Sequence, residues 1–461
     1  MAIPLKRRRS FLLVGGILMG LLGSAVVVRS QASAPDTATA APAATSVVIT
    51  LDEAIRRAQS SDANYAAAVA AGRSAALDRN IAYGNLLPSA VYHNQGLYTQ
   101  SNGEKNQAGQ GVSSQAAPKF IANNAVREYA SQLSVNETLG LSNIAEVRKT
   151  QALAAQAAAE QEIARRGLVA AVVSLFYESL AADRKLLVAE RARQEAVDFT
   201  KLTQEREQAR ESAHADVIKA QLEEQTRNRD LQDAQVEAEK ARLELGVLLF
   251  PDPRTAYRLS ASEAPPALAT REDIDAAATK NSPELRSALE ALRASNANVM
   301  TAWASYLPDV ALNYTYGIDA PQFAVNGPDG VRNLGYSAMV TVDIPVWDWF
   351  NTQRRVKQSE IARQSTQVAL SATQRQLIAR LDEAYSEAAT ERDELASLDL
   401  SVSTAAESLR LTKMAYTGGE ATVLEVVDAQ NASVTAQYAR EDGRVRYEAA
   451  RAKLQTLTGT M

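Results

Sequence analysis

The chain has 461 residues, 46% hydrophobic and 22% charged, with a formal net charge of −5 and no cysteine. That composition speaks against a disordered chain, and the missing cysteines exclude a disulfide scaffold and a thiolate metal site. Residues 1–34 hold five cations (Lys6, Arg7, Arg8, Arg9, Arg29) and no acid, which leaves −10 on the rest and speaks against a nucleic-acid reader.

The chain opens with the basic run Lys6 to Arg9, an apolar stretch from Phe11 to Val28, and Ala32-Ser33-Ala34. This order predicts a secretory signal peptide over 1–34. A membrane-spanning anchor is the weaker reading, because Gly15, Gly16, Gly20 and Gly23 dilute the apolar run and Arg29 closes it. Residues 35–47, rich in Ala, Pro and Thr, predict a disordered leader.

From residue 48 onward the chain is written twice. A shift of 220 lays Thr50-Leu51-Asp52-Glu53 on Thr270-Arg271-Glu272-Asp273 and Leu87-Pro88 on Leu307-Pro308. Shifts of 208 and 209 lay Tyr177 on Tyr385, Leu202-Thr203 on Leu411-Thr412, and Asp216-Val217 on Glu425-Val426. Order-preserving matches of this kind mean an internal duplication. The predicted repeats are 48–250 and 269–461, joined by a proline-rich linker at 251–268. Each repeat reads as one helix of about 35 residues (50–84, 270–305), two alternating strands, a very long helix (147–206, 352–415) and a further helix (213–249, 422–458). At 1.5 Å per residue the longest reach about 90 Å, so they must pack side by side along their length. Val169, Val173, Phe176, Leu180 and Leu187 mark one apolar stripe; Leu395, Leu398, Val402, Ala405 and Leu409 step by threes and fours, as in a coiled coil.

Val310, Leu312, Tyr314 and Tyr316 alternate with Asp309, Ala311, Asn313 and Thr315. Tyr336, Ala338, Val340, Val342 and Ile344 alternate with Ser337, Met339, Thr341 and Asp343. About ten residues with one apolar face is the length of a membrane-spanning strand. The first repeat is less clean: in 129–139, Glu137 falls on the apolar side. Trp303, Trp347 and Trp349 flank the second hairpin at one level, as an interfacial aromatic girdle requires. Four strands cannot close a membrane barrel and open edges are not tolerated in lipid, so other copies must complete it.

The second long helix ends at Tyr416-Thr417-Gly418-Gly419, where glycines permit a tight reversal. Thr422 and Glu425 form a capping-box pattern, and Glu425 and Asp428 share one face of the next helix. Together with the duplication, the two Leu-Pro junctions and Tyr177/Tyr385, the run from Tyr416 to Gln430 resembles the TolC family of outer-membrane efflux proteins. The resemblance covers about residues 48–460. It implies a mainly α chain with a membrane β part: a homotrimer forming a 12-stranded barrel in outer-membrane lipid and an α-helical periplasmic tunnel. It implies docking onto a periplasmic adaptor (membrane fusion) protein and an inner-membrane pump. It places Glu425 and Asp428, with Asp216 in the first repeat, in acidic rings at the tunnel entrance, and makes Tyr416, Gly418 and Gly419 the gating turn. Ala421 stands where the best-known member of that family has an arginine of the constriction, and the first-repeat turn, Gln208 to Ala213, lacks glycine. A ring of carboxylates in a narrow mouth attracts cations, multivalent ones above all.

Two other classes fit less well. Only His93 and His214 are histidines, and no nucleophile motif, phosphate loop or Cys/His cluster occurs, so neither an enzyme nor a cofactor or metal site is expected. A periplasmic coiled-coil adaptor or structural protein would explain the signal and helices, but not two strand pairs of membrane length. The sequence therefore predicts a passive exit duct of a tripartite efflux or type I secretion system.

Overall fold

The computed structural model describes residues 47–98, 127–260, 267–327 and 330–460. The predicted signal peptide, nearly all of the leader and the whole of the loop 99–126 lie outside the described residues. The chain runs β1 (Val47–Thr50), α1 (Leu51–Ser61), α2 (Ala63–Gly84), β2 (Ser89–Tyr98), β3 (Arg127–Leu139), α3 (Leu141–Gln208) and α4 (His214–Leu249). After β4 (Tyr257–Ser260) come α5 (Arg271–Asn281), α6 (Pro283–Ala304), β5 (Asp309–Ala320), β6 (Leu334–Asp343), α7 (Asn351–Gly418) and α8 (Val423–Thr458). Corresponding helices have equal lengths: 11 residues for α1 and α5, 22 for α2 and α6, 68 for α3 and α7, 36 for α4 and α8.

Capping explains where the helices start. Thr50 and Thr270 accept a bond from the backbone N–H three residues on, at Glu53 and Asp273. The single 35-residue helices expected at 50–84 and 270–305 are each two helices. Asp62 ends α1 and caps α2, its carboxylate accepting from the Tyr65 N–H at 2.6 Å. Ser282 does the same for α6, where Pro283 lacks the N–H that a continuous helix would need. The segment 251–268 is more than a linker. It carries β4, which pairs in parallel with β1, and the pair's Ile49 and Tyr257 pack on Val169, Val172, Val173 and Phe176 of α3. Of the predicted α3 stripe, Leu187 alone turns out to solvent. Beside it Val188 and Ala189 are buried instead.

The long helices bundle laterally: α3 packs on α2, α4, α6 and α8, and α7 on α6 and α8. The α7 seam is buried or half-buried from Leu395 to Leu409. It meets α8 at Gly443, where a Cβ would stand 2.5 Å from Leu398 Cδ1, so a larger residue there would require the Leu398 side chain to shift. No described helix is long and apolar enough to cross a membrane.

The four-stranded sheet is antiparallel throughout, in the order β2-β3-β5-β6. Its register assembles rows across all four strands. Tyr92, Leu133, Tyr316 and Tyr336 form one row, and Val135, Tyr314 and Ala338 lie beside it on the same face. The opposite face carries Ser134, Thr315 and Ser337 in one row and Asn136, Asn313 and Met339 in the next. The polar rows bond within themselves, Ser134 to Thr315 at 3.4 Å and Asn313 to Asn136. The apolar rows are exposed, up to 76% at Tyr336 and 67% at Val340. A sheet with a bare apolar face and a hydrogen-bonded polar face is the reverse of a soluble sandwich. Glu137 lies on the apolar face opposite Leu312, where the sequence puts it.

Candidate functional site

Two helical turns, 209–213 and 419–422, meet at one end of the bundle. Both helices end in the same way. In the second turn Gly419 is left-handed at φ 81°, with Gly419 N–H donating to the Tyr416 carbonyl (3.1 Å) and Glu420 N–H to that of Ala415 (2.8 Å). In the first, Arg210 takes the same place at φ 63°, with Arg210 N–H to Glu207 (2.9 Å) and Glu211 N–H to Arg206 (2.8 Å). These paired bonds satisfy the last carbonyls of each helix. Of the two glycines expected to reverse the chain, only Gly419 has a positive φ; Gly418 is the last helical residue.

The next helices start differently. Thr422 and Glu425 form the complete capping box: the Thr422 hydroxyl accepts from the Glu425 N–H, and the Glu425 carboxylate accepts from the Thr422 N–H at 2.6 Å. The Thr422 backbone N–H, and then its hydroxyl, hold the Glu425 carboxyl below the usual carboxylate range. At the first turn Ala213 offers no side-chain cap, and Asp216 pairs with Lys219 at 3.3 Å. Asp428, a turn after Glu425, is exposed. The two carboxylates do share a helix end, with Glu425 turned back onto its own cap.

Tyr416 is the contact between the turns. It is 4% exposed and packs edge-on to Phe199 of α3, with ring centroids 5.1 Å apart, beside Ala220, Val423 and Val426. Its hydroxyl donates to Thr203 at 3.4 Å. The Arg206 guanidinium lies 4.9 Å above its ring and donates to its carbonyl. Lys413 reaches Glu195 across the same helices at 2.8 Å. Sequence reasoning does not single out Arg206, Phe199 or Thr203. Their only signal is position, in the last three turns of the long helix before the first-repeat turn.

At the strand-to-helix end of the sheet, the tryptophans gather as expected and bring more aromatics with them. Trp347 stacks edge-on with Trp349 (5.8 Å) and Phe350 (5.2 Å), and Trp303 lies 5.5 Å from Tyr306. Tyr306 and Trp347 line one pocket of about 200 Å³, which joins the two groups. Trp349 and Phe350 are both left-handed, at φ 57° and 64°, and Asp348 stops the turn by accepting from the Thr352 N–H at 2.6 Å. All three tryptophans are more than half exposed.

Comparison with known proteins agrees with this architecture. Residues 276–460 match the outer membrane efflux protein family. The chain is 25% identical over 168 residues to outer membrane protein OprJ of Pseudomonas aeruginosa, a match that spans 36% of this chain and about a third (35%) of that protein's length. Its fold is that of the Campylobacter jejuni CmeC outer membrane channel (TM-score 0.74, 15% identity, 89% of this chain and 85% of that one). It is equally that of outer membrane protein VceC of Vibrio cholerae (TM-score 0.73, 16% identity, 89% and 96%). Residues 276–460 thus resemble the outer membrane efflux protein family, and the chain as a whole takes the fold of the outer-membrane channels.

Proposed function

We propose that this chain is the outer-membrane exit duct of a tripartite efflux or type I secretion system. It works as a homotrimer that passes its cargo passively to the outside. The observation that carries the reading is the four-stranded sheet, apolar and exposed on one face and polar on the other, continued by 68-residue helices. Its edge strands β2 and β6 each have one partner, and lipid tolerates no open edge. β6 of one copy pairs with β2 of the next, and three copies give twelve strands, above the minimum of about eight. The repeats 48–250 and 269–461 then act as six pseudo-equivalent staves. Trp303, Trp347 and Trp349, joined by Tyr306 and Phe350, form the girdle at the periplasmic lipid interface.

The two turns form the tunnel entrance. Glu425, Asp428 and Asp216 ring it with carboxylates, and Tyr416 with the Gly418-Gly419 turn holds it shut until a periplasmic adaptor and an inner-membrane pump draw the helices apart. A duct of this kind has no reaction to catalyse. A periplasmic coiled-coil adaptor would have no use for the bare apolar sheet face.

The test is conductance of the purified protein in a planar lipid bilayer, with a trivalent cation added on the turn side. Discrete cation-preferring steps, blocked by that ion and released in the Glu425→Ala/Asp428→Ala double variant, are expected. Steps without block would retain the duct and remove the acidic entrance. Folded protein that never inserts would return the adaptor reading.

A further inference from the structure

The buried face of α8 changes character along its length. It begins apolar at Val423 and Val426, inside the cluster around Tyr416. It ends apolar at Leu454 and Leu457, against Ile274 and Leu381. Between them the buried positions mix polar residues (Gln430, Ser433, Glu441, Arg444 and Glu448, the last 1% exposed) with Ala429, Gly443, Tyr447, Ala450 and Ala452. A helix stripe at this spacing is ordinarily apolar. Some of these groups find partners: Arg184 of α3 donates to Glu441 at 3.1 Å, and Arg451 to Glu448 at 2.6 Å.

Gln430 does not. It is 5% exposed, and both its carboxamide atoms are closed to solvent with no hydrogen-bond partner among the described residues. It lines a cavity of about 160 Å³ among α3, α4, α7 and α8, together with Arg191, Glu195, Arg227 and Ser433. A buried amide without partners is costly, and a cavity with several polar walls and room for a few molecules of about 30 Å³ is one that water fills.

We propose that Gln430 marks an internal water site, and that the polar stripe beyond it is a wet seam along which α8 parts from α3. Separating apolar faces exposes oil-like surface to water, whereas separating this stripe returns polar groups to the solvent they prefer. The seam is therefore the line of least resistance between the apolar clusters at the two ends of α8. Its role in opening the entrance rests on the duct reading above; the water site itself does not.

Hydrogen–deuterium exchange on the full chain in detergent tests both parts. Amides of 430–444 should exchange about tenfold faster than those of 449–458. Gln430→Met keeps the length of the side chain and removes its polar atoms, so it should slow exchange over 428–437 by about fivefold. Seam amides as protected as those around Leu454, or no change in Gln430→Met, would overturn the proposal. Should that variant not assemble, high-resolution density for the unaltered protein decides: waters on both Gln430 amide atoms support the site, and an empty cavity removes it. A fast-exchanging seam in a protein without conductance would instead sink the duct reading and leave the water site standing.

Discussion

The two turns at the end of the bundle share a backbone path and differ in how they hold it. Both close with the same pair of hydrogen bonds around a left-handed residue. The second uses Gly419, which takes that conformation without steric cost, and then starts α8 with a full capping box. The first uses Arg210, whose Cβ crowds the following carbonyl, and starts α4 at Ala213 with no side-chain cap. The two turns share a geometry, and only the second carries the residues that favour it. The second turn is therefore fixed by its own local chemistry. The first is held partly from outside, through Phe199, Thr203 and Arg206 of α3 against Tyr416 of α7.

The strongest way to break that arrangement is to remove Tyr416. Tyr416→Ala leaves a cavity between the turns and removes the ring beneath the Arg206 guanidinium, at an expected cost of about 3 kcal/mol. The loss should show as faster amide exchange at both turns, and more at 206–214, whose next helix starts without a side-chain cap. Equal loosening at both turns would mean that the first does not lean on the second.

Next in size is Gly419→Ala. A left-handed alanine costs about 1–2 kcal/mol, so protease nicking near 417–422 should increase while the 209–213 turn stays as it was. Thr422→Ala removes half of the capping box and should cost about 1 kcal/mol at the start of α8. The same box has a pH signature. Glu425 is held below the usual carboxylate range, so its support is complete above its unfolded value and is lost as the pH falls through its folded one. Acidification should thus lower the protection of the amides at 422–426, relative to their intrinsic exchange rates at each pH, and should have no such effect in Glu425→Gln.

Much of this architecture is legible in the chain because it is local. Thr50 with Glu53, Thr270 with Asp273 and Thr422 with Glu425 announce helix starts, since the capping bonds span only three residues. Period-two alternation shows which sheet face is apolar, because a strand's side chains must alternate. The breaks at Asp62 and Ser282 escape a sequence reading although Pro283 signals the second; an apolar period that continues across a one-residue cap hides it. Short β4 escapes it because its strand character comes from β1, 210 residues earlier. Arg206 carries no sequence signal at all: its partner Tyr416 is 210 residues away, and nothing around Arg206 distinguishes it from other helical arginines. The buried acids of α8 are illegible for the same reason, since Glu441 finds its partner Arg184 on α3, far away in the chain.

The smallest expected effect sharpens the comparison most. Arg210→Gly would give the first turn the residue the second already has. Relief of the left-handed strain is worth about 1–2 kcal/mol. Against it, glycine frees the unfolded chain and returns about 0.5–1 kcal/mol of that gain. The net should be about 0.5 kcal/mol of local stabilisation, seen as slower exchange at 206–214 with nothing changed at 415–426. The arginine side chain has no hydrogen bond or ion pair among the described residues, so no lost contact confuses the sign. If the turn instead becomes looser, the left-handed arginine is not under strain, and the first turn owes its shape to its own sequence rather than to Tyr416.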